Sequence, residues 1–325
     1  MNVSMTARKI ELKQDQPITV LINARMRTGS SLIGRYLSNN PDSMYLYEPE
    51  LALRYNTSLH YNVFNDSAAH LEKLQNPFYE IIEGFFDCDY TRRSELLPFM
   101  NERDWLKSYN GFALLKGSQF NAKRLNEICK TKRHRVVKTV RINDISKGLS
   151  TLKKYDVKVI QVVRDPRGMI NSRINFEKQH LQPRDKRDLI VRKASDACRD
   201  YCIWLKTNID SVLNGPKWLK EHYLIVRYED LIERPRKLVP NMHHFISIPT
   251  NMTDAILSNQ TLRPDSAFAW RHSLPYYQTR TAQNNCPDEI FETLGYVKVQ
   301  NENQQRNVSF SLSTSPNISK LTSLA

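Results

Sequence analysis

The chain has 325 residues, 40% of them hydrophobic, which is enough to bury a large core. Its 48 lysines and arginines outnumber its 34 aspartates and glutamates, so the formal net charge is +14 and favours anionic partners such as nucleic acid, sulfated glycans or phosphorylated nucleotides. The longest apolar runs, residues 18–22 and 157–163, are too short for a membrane-spanning helix.

Both ends of the chain are polar. Residues 1–16 lack the apolar core of a signal peptide and are predicted to form a polar leader. Residues 298–325 are rich in asparagine, glutamine and serine, and this composition predicts a disordered tail. The folded domain is therefore predicted to span residues 17–297.

Strand-like and helix-like segments alternate between these ends. Helical periodicity covers residues 32–37 and 187–213. The β-rich runs, typical of buried parallel strands, are residues 17–22, 136–140, 157–163 and 223–227. The alternation predicts an α/β fold, a P-loop-like three-layer structure with a central, mainly parallel sheet flanked by helices. Such sheets bind ligands at the carboxyl ends of their strands.

The loop after the first strand-like run has the residues of a phosphate site. It contains Arg27, Thr28, Gly29, Ser30 and Ser31 and leads into a helix, whose N-terminus and backbone N–H groups attract an anion. The lysine and second glycine of a nucleoside-triphosphatase loop are absent, which argues against a nucleotide kinase. An ordinary strand–turn–helix capped by a serine is the alternative interpretation.

A second strand–turn–helix follows residues 157–163. Arg164 ends the run, and Ser172 lies eight residues further along. A guanidinium beside a hydroxyl suits a phosphate monoester. The alternative here is a capped helix with surface ion pairs.

Together these segments resemble the donor sites of sulfotransferases. Arg27-Thr-Gly-Ser-Ser31 is similar to their 5'-phosphosulfate loop, and Val162-Val-Arg-Asp-Pro-Arg with Ser172-Arg is similar to their 3'-phosphate site. Across residues 17–297 the chain resembles the Golgi carbohydrate 6-O-sulfotransferases that act on galactose, N-acetylgalactosamine or N-acetylglucosamine. Further matching segments begin at Tyr45, Val137, Trp218, Ala269 and Leu294. The pair Arg25-Met26 departs from the small polar residues usual before the loop.

The resemblance implies a sulfotransferase that takes a sulfuryl group from 3'-phosphoadenylyl sulfate (PAPS), without a metal ion, and transfers it to a sugar hydroxyl of a glycan, with the 6-hydroxyl expected. Nucleic acid is not expected as a partner. The residues implied in donor binding are Arg27, Thr28, Gly29, Ser30, Ser31, Arg164 and Ser172.

Two catalytic roles are predicted. The resemblance places Arg27 beside the transferred group, where it stays protonated and can stabilise charge on the leaving phosphate and the sulfuryl oxygens. Glu48 follows a short strand-like run and is predicted to accept the proton of the sugar hydroxyl. A surface glutamate before a proline turn is the alternative for Glu48.

The compartment is inferred from cysteines and glycosylation sequons. Cys88, Cys129, Cys198 and Cys286 lie where the family also has cysteine, which implies disulfides in a Golgi lumen, with Cys202 unpaired and the pairing open. Sequons, which favour a secretory compartment, occur at Asn2, Asn56, Asn65, Asn251, Asn259, Asn307 and Asn317. Because this chain lacks the family's N-terminal anchor, membrane association is expected only through an anchor outside it, and a cytoplasmic location is the alternative.

Two other functions stay open at this stage. A non-enzymatic polyanion-binding protein rests on the net charge alone, and a P-loop nucleotide kinase rests on the loop geometry alone.

Overall fold

A computed structural model describes residues 16–61, 67–109, 112, 118–180, 187–249, 257 and 263–317. Apart from Gln16, the predicted leader at residues 1–16 lies outside these ranges. Within them, every helix is too short or too polar to cross a bilayer.

The centre of the fold is a five-stranded parallel sheet with the order β2-β3-β1-β4-β5. Its strands are β1 (Ile18–Asn23), β2 (Ser43–Tyr47), β3 (His134–Thr139), β4 (Lys158–Val163) and β5 (Tyr223–Arg227). Four of them confirm the predicted strands, and β2 is the short strand-like run before Glu48. Because all strands are parallel, their carboxyl ends lie at one edge of the sheet.

Helices connect and cover the strands. They are α1 (Ser30–Ser38), α2 (Ala68–Glu72), α3 (Gln75–Phe86), α4 (Leu96–Asn101), α5 (Ala122–Lys130), α6 (Leu149–Lys154), α7 (Pro166–His180), α8 (Arg187–Leu213), α9 (Lys217–Glu221), α10 (Tyr228–Glu233), α11 (Pro235–Phe245), α12 (Trp270–Ser273), α13 (Tyr276–Asn284), α14 (Asp288–Leu294) and α15 (Glu302–Arg306). Short 3-10 helices include Pro49–Tyr55, Asp104–Ser108 and Pro264–Ser266.

Alternate side chains of the strands enter two separate cores, which makes the fold three-layered. Val20 and Ile22 of β1 pack with α1 and α11 on one face, in a core that includes Ile33 and Met242. Leu21 faces the other side, where α3 and α8 contribute the larger core. The sheet is buried on both faces, as expected for parallel strands with near-continuous apolar sequence. The predicted α/β class and layer order are confirmed.

Part of the predicted disordered tail is folded. Residues 298–317 include α15, and Leu312 is buried. Gln305 is fully buried and donates from Nε2 to the carbonyl oxygens of Arg271 and Leu274, at 3.2 and 2.7 Å. The prediction is wrong for these residues because their polar side chains and carbonyls satisfy buried groups of the domain, which composition does not reveal. Residues 318–325 lie outside the described ranges.

The structure pairs four of the five cysteines. Disulfides join Cys88 to Cys129 and Cys202 to Cys286, and Cys198 is free and buried. The expectation that Cys202 is unpaired is therefore wrong. Cys198 and Cys202 lie one turn apart on α8, but Cys202 lies 5.1 Å from Cys286 between Cα atoms, whereas the Sγ of Cys198 lies 3.9 Å from the carbonyl oxygen of Pro166.

Candidate active site

The carboxyl edge of the sheet opens into a cavity of about 490 Å³. The loops after β1, β2, β4 and β5 all reach it, as a doubly wound sheet requires. Its lining includes five cationic side chains, those of Arg27, Arg35, Lys138, Arg164 and Arg263. Among the described residues of the lining, Glu48 is the single carboxylate, and no histidine is present. The cavity is therefore strongly electropositive and suits an anion.

Most of the predicted site residues line this cavity. They are Arg27, Gly29, Ser30, Ser31, Glu48, Arg164 and Ser172. Thr28 is the exception, because it is fully buried and its hydroxyl donates to the carbonyl oxygen of Arg25 at 2.8 Å. It shapes the loop from behind rather than facing the cavity.

The loop before α1 has an unusual backbone conformation. Arg27 and Gly29 both have positive φ angles, of 69° and 93°, and Gly29 is the N-terminal cap of α1. A Cβ atom at Gly29 would lie 2.3 Å from the ring of Tyr228, so only glycine fits there. Because Gly29 is the cap, the hydroxyls of Ser30 and Ser31 are not used to cap the helix.

The unusual residue Arg25 does not add its charge to the cavity lining. It is buried, donates from Nη2 to Oδ1 of Asn143 at 2.7 Å and lies over the ring of Trp204. Met26 does line the cavity and approaches Nη1 of Arg173 through its sulfur at 3.3 Å. Arg25 therefore contributes to the packing beneath the loop.

Arg27 and Ser172 meet across the cavity floor. The Nε of Arg27 donates to the Oγ of Ser172 at 3.0 Å, which joins the two predicted phosphate sites directly. The pKa of Arg27 is lowered, by burial first and then by the like charge of Arg164. An anion placed between these guanidiniums would relieve that repulsion.

Arg164 ties three parts of the site together. Its Nη1 donates to the carbonyl oxygen of Arg27 at 3.1 Å, and its Nη2 donates to that of Ser266 at 2.9 Å. The guanidinium lies 4.3 Å from the ring centroid of Tyr228, whose hydroxyl is 2.7 Å from the Oγ of Ser266. The buried Nε of Arg164 has no hydrogen-bond partner among the described residues. A buried donor without a partner is costly, so it fits a ligand acceptor.

Glu48 lies at the end of β2 in a left-handed backbone conformation, with φ of 40°. Lys138 donates to its Oε1, and Arg141 donates to its Oε2 at 2.8 Å. Burial alone would raise the pKa of this carboxyl, but Lys138 and Arg141 lower it to about 2. Glu48 is thus a buried, ionised carboxylate at the cavity wall and not a surface glutamate.

Sequence reasoning did not identify several residues that shape this site. Lys138 and Arg141 were matched only as part of a segment, although they set the charge state of Glu48. Tyr228 and Glu229 were likewise not singled out. Glu229 is fully buried, accepts from the backbone N–H of Asp165 at 3.0 Å and accepts from the Tyr296 hydroxyl at 2.9 Å. An ionisable group soon after a strand is the signal that would have found Arg141, Tyr228 and Glu229, whereas Lys138 lies within β3.

Comparison with known proteins adds independent findings. A family model described as "Sulfotransferase domain" matches residues 17–285. Carbohydrate sulfotransferase 1 of Rattus norvegicus is 26% identical, over 90% of this chain and 82% of that protein. Carbohydrate sulfotransferase 3 of Homo sapiens is 25% identical, over 82% of this chain and 65% of that protein. The solved sulfotransferase domain of a Synechococcus olefin synthase aligns with a TM-score of 0.43 and 17% identity, over 84% of this chain and 96% of that one.

Proposed function

This chain belongs to the sulfotransferase domain family, and we propose that it is a carbohydrate sulfotransferase that uses PAPS to sulfate a hydroxyl of a glycan. The observation that carries the proposal is the cavity at the carboxyl edge of the sheet, whose lining, among the described residues, has five cations and one carboxylate. The names of the related proteins support a sugar as acceptor. A 6-hydroxyl of galactose, N-acetylgalactosamine or N-acetylglucosamine is the acceptor group proposed.

The residues of the cavity fit a nucleotide that carries phosphate at both ends of its ribose. The loop of Gly29, Ser30 and Ser31 offers backbone N–H groups and hydroxyls at the start of α1. On the other side, Arg164 has a buried Nε without a partner among the described residues, and Ser172 lines the same wall. We assign the first group to the 5'-phosphosulfate and the second to the 3'-phosphate.

Arg27 is assigned to charge stabilisation. When bound, PAPS supplies a sulfuryl group that is activated by its bond to phosphate. Arg27 lies between the two assigned phosphate sites and holds a permanent positive charge, so it can bind the bridging oxygen as negative charge develops there. Ser172 fixes the orientation of its guanidinium through the 3.0 Å bond to Nε. A guanidinium held in place by Ser172 needs little reorganisation during the reaction.

Glu48 is assigned to the acceptor proton. It is the sole carboxylate among the described residues that line the cavity, and its two ion pairs keep it ionised at neutral pH. A carboxylate with a pKa of about 2 is a weak base, so it takes the proton late, when bonding to sulfur has made the hydroxyl acidic. Lys138, which also lines the cavity, holds the Glu48 carboxylate in position by donating to its Oε1.

A Golgi lumen is the proposed location. Two disulfides, Cys88–Cys129 and Cys202–Cys286, support an oxidising compartment. Among the sequons, Asn307 and Asn317 are exposed. The amide of Asn56 donates to Glu95 at 2.8 Å, so a glycan there would break a bond that the fold makes.

The decisive experiment is transfer of labelled sulfate from PAPS to a panel of glycans that end in the three sugars. Labelled product is expected, with the modified hydroxyl identified by NMR of that product. Absence of transfer to every glycan, together with a melting temperature that heparin raises and 3'-phosphoadenosine 5'-phosphate does not, would instead support the polyanion-binding alternative.

A further inference from the structure

The wall of the cavity that holds Glu48 continues outward into a cluster of aromatic rings. Tyr47, which precedes Glu48 and lines the cavity, has its ring centroid 4.9 Å from that of Trp105, with the rings nearly perpendicular. The ring centroid of Trp105 in turn lies 6.1 Å from that of Tyr109. The donor-side residues Arg164 and Tyr228 are not part of this cluster. It extends from the proposed base toward solvent.

Trp105 is exposed to an unusual degree for a side chain of its size. Its exposed fraction is 46%, although Tyr47 and Tyr109 hold one side of it in place. A rigid aromatic ring that is half in contact and half in water suits a sugar, whose C–H face packs on aromatic rings while its hydroxyls stay solvated. Tyr277 is more exposed, at 56%, but it lies on α13. Neither ring lines the cavity itself, and Trp105 is the one in contact with a lining residue, Tyr47.

Arg35 brings a positive charge to the same side. It lies on α1 one turn after Ser31, is exposed and lines the cavity, and its guanidinium has no ion-pair or hydrogen-bond partner among the described residues. Burial first, and then Tyr47, raise the pKa of Tyr109 to about 12, whereas the charge of Arg35 acts to lower it. Gly34, the neighbour of Arg35 on α1, packs so closely on Tyr45 that a Cβ atom there would lie 2.1 Å from the Tyr45 hydroxyl, and the Tyr45 ring centroid lies 4.7 Å from that of Tyr109. The helix that carries Arg35 is therefore packed against the rings that adjoin the aromatic cluster.

Of the other four cations of the cavity, Arg263 lies on the donor side, where its carbonyl oxygen accepts from the hydroxyl of Ser266, a residue that also binds Arg164. The remaining three are already engaged in ways that Arg35 is not. Lys138 binds Glu48, Arg27 binds Ser172, and Arg164 binds two backbone carbonyl oxygens. A solvated guanidinium at the mouth of a binding cavity, with its donors unused by the described residues, is able to bind a carboxylate or a sulfate in bidentate fashion.

We propose that Trp105 and Arg35 form an acceptor subsite beside Glu48. Trp105 packs against the sugar next to the one that is sulfated, and Arg35 binds an anionic group, a carboxylate or a sulfate, carried by the glycan. The enzyme is thus selective for an acidic glycan of at least two sugars. This inference rests on the proposed function, because it needs the transfer reaction as its readout.

The test compares three acceptors that share the sulfated sugar: a monosaccharide glycoside, a neutral oligosaccharide, and the same oligosaccharide with a uronic acid next to the accepting sugar. The variants are Trp105→Ala, Trp105→Phe, Arg35→Ala and Arg35→Lys. Matched controls on α13 are Tyr277→Ala, an exposed aromatic, and Arg280→Ala, an exposed arginine for which the described residues provide no ionic partner. Each is assayed for KM of the acceptor, kcat and KM of PAPS.

Wild type should show a lower KM for the acidic oligosaccharide than for the neutral one. Arg35→Ala should raise the KM of the acidic acceptor about tenfold and erase this preference, while the neutral acceptor is unchanged. Trp105→Ala should raise KM for both oligosaccharides about tenfold and leave the monosaccharide unchanged, with partial recovery in Trp105→Phe. The KM of PAPS and both α13 controls should match wild type.

The inference is overturned if Arg35→Ala shifts neutral and acidic acceptors equally, or if Trp105→Ala affects the monosaccharide as much as the oligosaccharides. A loss of PAPS affinity in either variant would also overturn it, because it would place the residue on the donor side. These outcomes require active wild-type enzyme. Failure of the proposed function would instead appear as no transfer from wild type to any of the three acceptors.

Discussion

The Nε of Arg27 donates to the hydroxyl of Ser172 at 3.0 Å and so links the loop after β1 to the second turn of the helix after β4. The two residues are 145 positions apart in sequence. Their contact joins the two phosphate sites assigned to the donor. A substitution at either site is therefore expected to change donor binding at the other.

The first prediction measures this coupling. Arg27→Ala should lower kcat and donor affinity, Arg27→Lys should restore part of both, and Ser172→Ala should have a smaller effect. In a double-mutant cycle the two alanine changes should be non-additive by about 0.5–3 kcal/mol, since the residues are in direct contact. Strictly additive losses in kcat/KM would show that Ser172 does not orient Arg27.

The second prediction concerns the 3'-phosphate. Arg164→Ala should reduce affinity for 3'-phosphoadenosine 5'-phosphate by about tenfold more than affinity for adenosine 5'-phosphate, because a charge-assisted bond to the 3' group is lost. Some loss for both nucleotides is expected, since Arg164 also holds the carbonyl oxygens of Arg27 and Ser266. Calorimetric titration of both nucleotides decides the matter, and an unchanged affinity ratio contradicts the assignment.

The third prediction concerns Glu48 as the base that accepts the sugar proton, and the pH dependence of the rate. Its pKa is lowered to about 2, so protonation of this group leaves the rate level from about pH 4 to pH 7. Glu48→Gln should reduce kcat by about two orders of magnitude or more while PAPS binding persists. Near-normal turnover of Glu48→Gln would exclude it as the base.

The same substitution should also cost stability, because it leaves Lys138 and Arg141 buried without their carboxylate. The loss for one partner of a buried ion pair is about 3–5 kcal/mol. As the folded-state pKa is depressed, the contribution of Glu48 is present above its unfolded pKa of about 4.5 and fades as pH falls toward about 2. Denaturant unfolding of wild type and variant at pH 7 and pH 3 should therefore give a smaller difference at pH 3.

The fourth prediction uses the opposite shift. Burial first, and then the charge of Asp165, raise the pKa of Glu229 to about 7. The protonated Glu229 carboxyl therefore contributes to the free energy of unfolding. This contribution is fully present below the unfolded pKa of 4.5 and is lost as pH rises through the folded pKa of about 7. Glu229→Gln removes the titration, so its melting temperature should fall less than that of wild type between pH 5 and pH 8. Parallel curves for the two proteins would contradict the buried carboxyl as the cause.

The fifth prediction distinguishes two cysteines on one face of α8. Cys202→Ala should destabilise the oxidised protein by about 2–4 kcal/mol, because it removes a crosslink that closes a long loop. Cys198→Ala should cost less, as it removes only a buried thiol whose pKa burial raises to about 12. Peptide mapping under non-reducing conditions should find Cys202 joined to Cys286, and a Cys198–Cys286 peptide would reverse the assignment.

Local patterns predicted those features that depend on neighbours in sequence. The strands, α8 and the loop of Gly29 follow from apolar runs, periodicity and a glycine between a strand and a helix. Glu48 was chosen from its motif, but its charge state depends on Lys138 and Arg141, which are 90 and 93 residues away. The aromatic cluster around Trp105 likewise forms only when Tyr47, from β2, meets the 3-10 helix Asp104–Ser108. Contacts between residues so far apart in sequence arise from tertiary packing, and the periodicity of a single sequence does not reveal them.

The carbonyl partners of two buried arginines set a limit on when this protein can finish folding. Arg167 donates to the carbonyl oxygen of Val297 at 2.7 Å, and Arg227 donates to those of Leu294 and Thr314 at 2.7 and 2.9 Å. Arg167 and Arg227 are close in sequence to Arg164 and Tyr228 of the site. Their carbonyl acceptors, in contrast, are synthesised much later than the arginines themselves. Each arginine has a carboxylate partner close in sequence, Asp165 for Arg167 and Asp230 for Arg227, so its charge is paired early. Its hydrogen bonds are complete only when the chain has been synthesised through Val297 for Arg167 and through Thr314 for Arg227. The domain therefore cannot finish folding until almost all of the described chain has left the ribosome.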